Sequence, residues 1–265
     1  MGPIINMLIG FFSGFASGTG VVISQYYGAG MPERVRRAVH TALVLTVVLG
    51  LILTGVGLAL IPTVLGFIKM PAEALHDATT YLTIYFSGLL GLLLYNMGAG
   101  ILRAVGDSRR PFYFLVVSAL MNIALDLLFV LRFEMGVAGV AIATIIAQLL
   151  SWLFGIFYIN RHYPEAAIHP FCRRFDRELF RKVISIGLPA GVQMSLVSVG
   201  AMTVMSQVNA YGEAYTAAFN VGNKLDALAF LPAQSVSSAV TSFVGQNTGA
   251  RKPERVRQGV RAAVI

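Results

Sequence analysis

The sequence predicts an all-α polytopic membrane protein with seven transmembrane helices, and three observations carry that prediction. The first is composition: of 265 residues, 56% are hydrophobic and 12% are charged, where a soluble domain carries roughly 25% charged residues. The mean hydropathy of +0.73 points the same way. The second is run length. About 20 apolar residues span a bilayer core, and seven such runs are read at 4–27, 39–67, 79–102, 112–131, 137–159, 183–209 and 217–245. Few of them show the polar face of a surface helix, so a soluble helical core would lack the polar surface to cover them. The third is where the charge lies. The net charge is +8, and 17 of the 20 Lys and Arg fall in the loops 28–38, 103–111, 160–182 and 246–261. That alternation is the positive-inside pattern and places those four loops in the cytoplasm. It also argues against nucleic-acid binding, which would interleave the charge with base-reading or aromatic groups.

Taken in order, run 4–27 carries Gly10, Gly14 and Gly18 at four-residue spacing, a stripe that lets a neighbouring helix backbone come close. The matching positions later in the chain are Ser235 and Ala239. Run 39–67 ends before an outer loop with Lys69, and run 79–102 holds Tyr81, Tyr85 and Tyr95. Run 112–131 carries Asn122 and Asp126 well inside it, and run 137–159 contains Thr144. The segment 160–182, with six basic residues and two prolines, reads as a linker whose tail Asp176–Lys182 enters the next helix as an amphipathic segment. Runs 183–209 and 217–245 contain Pro189 and Pro232, each of which removes a backbone hydrogen bond. Cys172 is the only cysteine, which excludes an internal disulfide. The start at Met1-Gly2-Pro3 lacks a basic signal-peptide region and enters an apolar run at once, as expected of an internal fragment.

A repeat organises these elements. At a constant offset of 221, Gln25, Gly28, Ala29, Pro32, Glu33, Arg34, Val35 and Arg36 recur as Gln246, Gly249, Ala250, Pro253, Glu254, Arg255, Val256 and Arg257. The six helices between the copies bring the chain back to the same membrane face, so the repeats are parallel, related by an axis along the membrane normal. Extrapolated, the parent has twelve helices in two lobes. This chain then holds residues 1–160 as helices two to six of the first lobe, 161–182 as the inter-lobe linker, and 183–265 as the start of the second lobe. Gln25-x-x-Gly28 and Gln246-x-x-Gly249 read as turn devices with glycine ending the helix.

Asp126 is the candidate that matters most, because an ionisable side chain deep in a span is expensive and functional by default. Asn122 lies one turn earlier on the same face, and Thr144 on the next helix adds a hydroxyl. Together they offer oxygens for a proton or sodium ion, against the alternative of a hydrogen-bonded pair that glues helices. Asp226, near a helix start with Lys224 two residues away, is as readily a helix-dipole partner. Tyr81, Tyr85 and Tyr95, with Gln193, Gln207 and Asn209, are candidates to line a polar-aromatic cavity, since aromatic faces attract organic cations. Packing explains each of them alone. No nucleophile–base pair, phosphate loop, dinucleotide fingerprint or metal-ligand spacing is read, and no enzyme is expected.

Ser24-Gln-Tyr-Tyr-Gly-Ala29, Ile101-Leu-Arg-Ala-Val-Gly-Asp-Ser108, Asn122-Ile-Ala-Leu-Asp126, Gly136 through Thr144 and Phe243-Val-Gly-Gln-Asn-Thr-Gly249 together resemble the multidrug and toxic compound extrusion (MATE) family, over essentially the whole chain. The resemblance implies a fragment from helix two to the start of helix nine of a two-lobe transporter in the inner (cytoplasmic) membrane. It implies export of cationic or amphipathic drugs coupled to inward proton or sodium flow, with no other cofactor and a monomer when full length. The family's first-lobe cation site looks like Asn122, Asp126 and Thr144, with any sodium ion held at Asp126. An acid that some branches carry on helix seven has no counterpart in Pro189–Val199, which favours the first-lobe site. A lipid-linked precursor flippase of the same superfamily would need cationic groups in the cavity, where only Lys224 qualifies. A non-transporting scaffold would need an extramembrane domain.

Overall fold

Proline followed by glutamate opens helices well, since proline's missing N–H is an orphan there anyway and the carboxylate complements the helix dipole. In the computed structural model the basic segments 28–38 and 246–261 are accordingly not loops throughout. A helix starts at Pro32, in a segment read from sequence as a loop, and another at Pro253. The structure describes residues 2–67, 72–169 and 175–264, and their side chains other than those of residues 2–9, 64, 67, 72–74 and 213. Lys69 and Cys172 lie outside the described residues. The helices are α1 (Gly2–Gly28), α2 (Pro32–Phe67), α3 (Ala72–Ser87), α4 (Leu89–Ala104), α5 (Arg109–Leu127), α6 (Gly136–His162), α7 (Arg177–Asn209), α8 (Glu213–Gly249) and α9 (Pro253–Val264). No strand occurs among the described residues.

Five of these helices are each long and apolar enough to cross a membrane, and a sixth span results if α3 and α4 are counted together. The predicted run 4–27 corresponds to the 27-residue α1, so the count of seven stays an expectation. The run 79–102 is corrected in one respect: it is a pair of helices meeting at 43° around Gly88. The Gly88 N–H is shared between the carbonyls of Ile84 and Tyr85, and a methyl on Gly88 would run into the Ile145 side chain of α6. Close packing of α6 on the bend leaves room only for glycine. Pro189 and Pro232 both lie inside continuous helices.

The chain forms two compact units. One comprises Pro32–Arg103 and Asp107–Phe180. In it, Leu93, Ile101 and Leu102 of α4, Val35 and Val39 of α2, and Ala143 and Ile159 of α6 are fully buried. The linker is tied to the start of α2 by Arg34–Glu178 at 3.2 Å and Arg37–Asp176 at 3.7 Å. Asp176 also caps α7, its Oδ1 accepting from the backbone N–H groups of Glu178 and Leu179 at 2.9 and 3.2 Å.

The other unit comprises Met1–Met31, Ala104–Gly106 and Arg181–Ile265. Here the predicted glycine stripe finds its partner. A methyl on Gly14 would collide with Gly191, and one on Gly18 would lie 2.6 Å from the Gly187 nitrogen, so α1 and α7 touch backbone to backbone. Ser235 and Ala239, the stripe's repeat counterparts, are exposed. The two copies of the repeated motif also meet in this unit. Gly28 packs on the Gln246 carbonyl, Gly249 on the Gln25 carbonyl, and Gly245 on Ser24.

Candidate functional site

Helices α5 and α6 run side by side, and small or polar residues at four-residue spacing let them approach. On α6 the stripe is Gly139, Ala143, Ala147, Ser151 and Gly155, all buried. The hydroxyl of Ser151 donates to the Phe114 carbonyl at 3.1 Å, and that of Ser118 donates to the Ala147 carbonyl at 3.1 Å. One turn beyond Ser118 comes Asn122, whose Nδ2 lies 3.4 Å from Thr144 Oγ1 and 3.5 Å from Asp126 Oδ1. The sequence-derived trio Asn122, Asp126 and Thr144 is therefore one cluster, at the end of a polar ladder between two spans.

The geometry of the cluster is loose. Both Asn122 contacts exceed the usual 2.7–3.2 Å of a good N–H···O bond, roughly. Thr144 spends its hydroxyl proton on the Val140 carbonyl at 3.0 Å. Turning the Asn122 amide by half a rotation presents its oxygen in place of its NH₂. The cluster would then offer a carboxylate, an amide oxygen and a hydroxyl oxygen, a donor set of the kind hard cations take. Alternatively, a proton on Asp126 makes the carboxyl a hydrogen-bond donor. Immediately after α5, Leu128–Arg132 forms a π-helical turn, closed by the Phe133 N–H on the Leu128 carbonyl at 3.3 Å. Such turns widen a helix and recur at functional sites; the sequence carries no signal for this one.

Thr144 also faces the bend between α3 and α4. A cavity of about 10 Å³ there is lined by Tyr85, Gly88, Leu89, Leu92, Thr144, Ile145 and Gln148, close to the ~10–15 Å³ a single water needs. Tyr81 stacks on Tyr85 with ring centroids 6.0 Å apart. Gln148 was not singled out from the sequence, although its place one turn after Thr144 puts both on one helix face.

Of the remaining candidates, Gln193, Asn209 and Asp226 belong to the other unit, and Tyr95 lies in the same unit but outside this cluster. Gln193 is exposed on α7. Asp226 lines a cleft of about 600 Å³ between α7 and α8, with Val208, Tyr211, Tyr215, Phe219 and Asn223. No ion pair joins it to Lys224 among the described residues. Asn209 accepts a hydrogen bond from Thr216 at 3.2 Å, and Tyr95 donates to the Pro111 carbonyl at 3.4 Å; both have local roles.

Comparison with known proteins places this arrangement. The MatE family model matches residues 1–128 and 189–265. The probable multidrug resistance protein YoeA of Bacillus subtilis is 33% identical over 99% of this chain and 58% of its own length. An FAD transporter of Shewanella oneidensis is 26% identical over 97% of the chain and 58% of its own length. Among solved structures, the outward-facing conformation of a multidrug resistance MATE family transporter of the MOP superfamily superposes with a TM-score of 0.89. That match has 25% identity and covers 99% of this chain and 58% of the other. The chain thus spans less than two thirds of the length of these relatives.

Proposed function

The chain belongs to the MatE family, and from that premise we propose that it is part of an antiporter that exports small cationic or amphipathic compounds in exchange for protons or sodium ions. The observation that carries this reading is the position of Asp126. A carboxylate in a span, met by the Asn122 amide at 3.5 Å while that amide also meets the Thr144 hydroxyl, is costly to keep unless it serves a function. In this reading Asp126 takes up and releases the coupling ion, while Asn122 and Thr144 complete its surroundings. The coupling ion is the transported co-substrate, so its binding from one side and release to the other drives the exchange.

Alternating access is supported by the outward-facing relative on which the chain superposes. Drug export is supported by YoeA, described as a probable multidrug resistance protein. The whole protein sits in the cytoplasmic membrane with its basic turns inside, by the charge asymmetry of the loops, and works as a monomer of two six-helix lobes. Lys224 and the cleft at Asp226 provide no cationic cluster of the kind a precursor flippase needs to hold pyrophosphate.

The test is efflux of a fluorescent organic cation from proteoliposomes that carry the whole transporter. Asp126→Asn is expected to abolish efflux driven by a proton or sodium gradient. Undiminished gradient-driven efflux from that variant would sink the assignment.

A further inference from the structure

We propose that the crossing of α1 and α8 is a latch that closes the transport path at the basic-turn side, and that Gln246 fastens it. The proposal rests on the antiporter reading, and its starting point is the reciprocity of the contacts. Gly28 sits on the Gln246 carbonyl and Gly249 on the Gln25 carbonyl, while Gly245 covers Ser24. At the repeat offset of 221, Gln25 is equivalent to Gln246, Gly28 to Gly249 and Ser24 to Gly245. Each contact is thus mirrored with the roles of the copies exchanged, the signature of a self-complementary patch lying on a two-fold axis. For parallel repeats that axis runs along the membrane normal between the two lobes, which is the line a path between lobes follows. Where the two copies touch, the path is shut.

The contact is confined to one end of α8. Gly245 and Asn247 are buried, whereas residues 214–239 are almost all exposed. Backbone meets backbone there, because any side chain at 28, 245 or 249 would strike the other helix. The crossing thus depends on the absence of side chains at 28, 245 and 249, and any residue larger than glycine there parts the two helices.

Gln246 supplies the fastening. Its Nε2 donates to the Ala104 carbonyl at 2.8 Å. Ala104 is the last residue of α4, and the carbonyls of a final helical turn lack partners within their own helix. The next turn folds around this amide through Gly106, with φ of 97°, where a methyl would stand 3.4 Å from Nε2. One neutral hydrogen bond to a carbonyl that water satisfies equally well is a fastening suited to repeated opening.

Ser24 is fully buried in the closed crossing and therefore reports on it. In the whole transporter cleared of its native cysteines, Cys172 included, a Ser24→Cys variant should react slowly with a membrane-impermeant maleimide offered from the basic-turn side. Adding Gln246→Ala should raise that rate about fivefold, the shift in an open–closed ratio expected when one neutral hydrogen bond is lost. Gly249→Val, which wedges the helices apart, should raise it further and block efflux. Equal labelling rates with and without the Gln246→Ala substitution would overturn the latch. If Gly249→Val fails to accumulate, the Gln246→Ala measurement decides alone, because that side chain is not part of the backbone contact. An Asp126→Asn protein that still couples efflux to the gradient would overturn the ion-site reading yet leave the labelling difference intact, so the two failures are told apart.

Discussion

Gly30 and Arg251 occupy equivalent repeat positions and share a left-handed backbone, with φ of 67° and 55°. Around them the hydrogen bonds match: Gly30 and Met31 donate to Tyr27 and Tyr26 at 3.1 Å each, and Arg251 and Lys252 donate to Thr248 and Asn247 at 3.1 and 2.9 Å. This is one helix-ending turn built twice, with glycine in only one copy. Because a side chain in the left-handed region costs roughly 1–2 kcal/mol, Arg251→Gly is expected to stabilise the protein by about 1 kcal/mol. Gly30→Ala should destabilise it by a similar amount. Thermal unfolding in detergent, followed through Trp152, would show shifts of opposite sign of about 2–4 °C. Shifts of the same sign would mean the turns are not equivalent.

The contact of Gly14 with Gly191 leaves no space for a methyl. Gly14→Ala forces two backbones apart, and overpacking of this kind costs about 1–3 kcal/mol. At the far end of the same stripe, a Cβ on Gly10 would lie 3.5 Å from the Cβ of Met194, at the short edge of the roughly 3.5–4.5 Å that a disulfide needs. A Gly10→Cys, Met194→Cys pair in a Cys172→Ser background should therefore oxidise readily and migrate faster on non-reducing gels. No mobility shift would place α1 and α7 farther apart than described.

Asn160 holds the linker by both ends of its amide. Its Nδ2 donates to the Ile168 carbonyl at 3.0 Å, and its Oδ1 accepts from the Ile168 N–H at 2.7 Å. Ile168 is fully buried, so Asn160→Ala strands two main-chain groups. Losses of this kind cost about 1–3 kcal/mol each when the group stays buried. The linker is then expected to open locally, and limited trypsin digestion between the lobes should be several-fold faster. Unchanged digestion would show that the arginine pairs to Glu178 and Asp176 suffice.

The repeat, the apolar helical character of the chain and the pairing of Asn122 with Asp126 were legible because each rests on composition or spacing along one chain, and helix geometry converts spacing into place directly. What escaped reading depends on which helix lies against which. Nothing in Gly10, Gly14 and Gly18 names Gly187 and Gly191 as their partners, since small residues at four-residue spacing recur elsewhere. The glycines at 28 and 249 read as helix stops, and each is indeed the last residue of its helix. Their stronger constraint is the carbonyl of the other copy, visible only once α1 and α8 cross. The bend at Gly88 is hidden for the same reason, being set by Ile145 from α6, and the π-turn after Asp126 follows no residue preference.

The ladder between α5 and α6 separates gluing from ion binding, because its members can be removed one by one. Ser118 and Ser151 bond only to backbone carbonyls, so replacing both by alanine should cost about 1 kcal/mol, at about 0.6 kcal/mol per interhelical bond in a membrane. The melting temperature falls, and the ion concentration giving half-maximal efflux stays where it was. Asn122 touches both Thr144 and the Asp126 carboxylate. Asn122→Ala is therefore expected to raise that half-maximal concentration several-fold, with a melting shift no larger than that of the serine pair. Thr144→Val, which keeps the shape and removes the oxygen, should move the ion dependence in the same direction. If instead both variants lower the melting temperature and leave the ion dependence untouched, Asn122 and Thr144 are ladder rungs like the serines, and Asp126 carries the coupling ion without them.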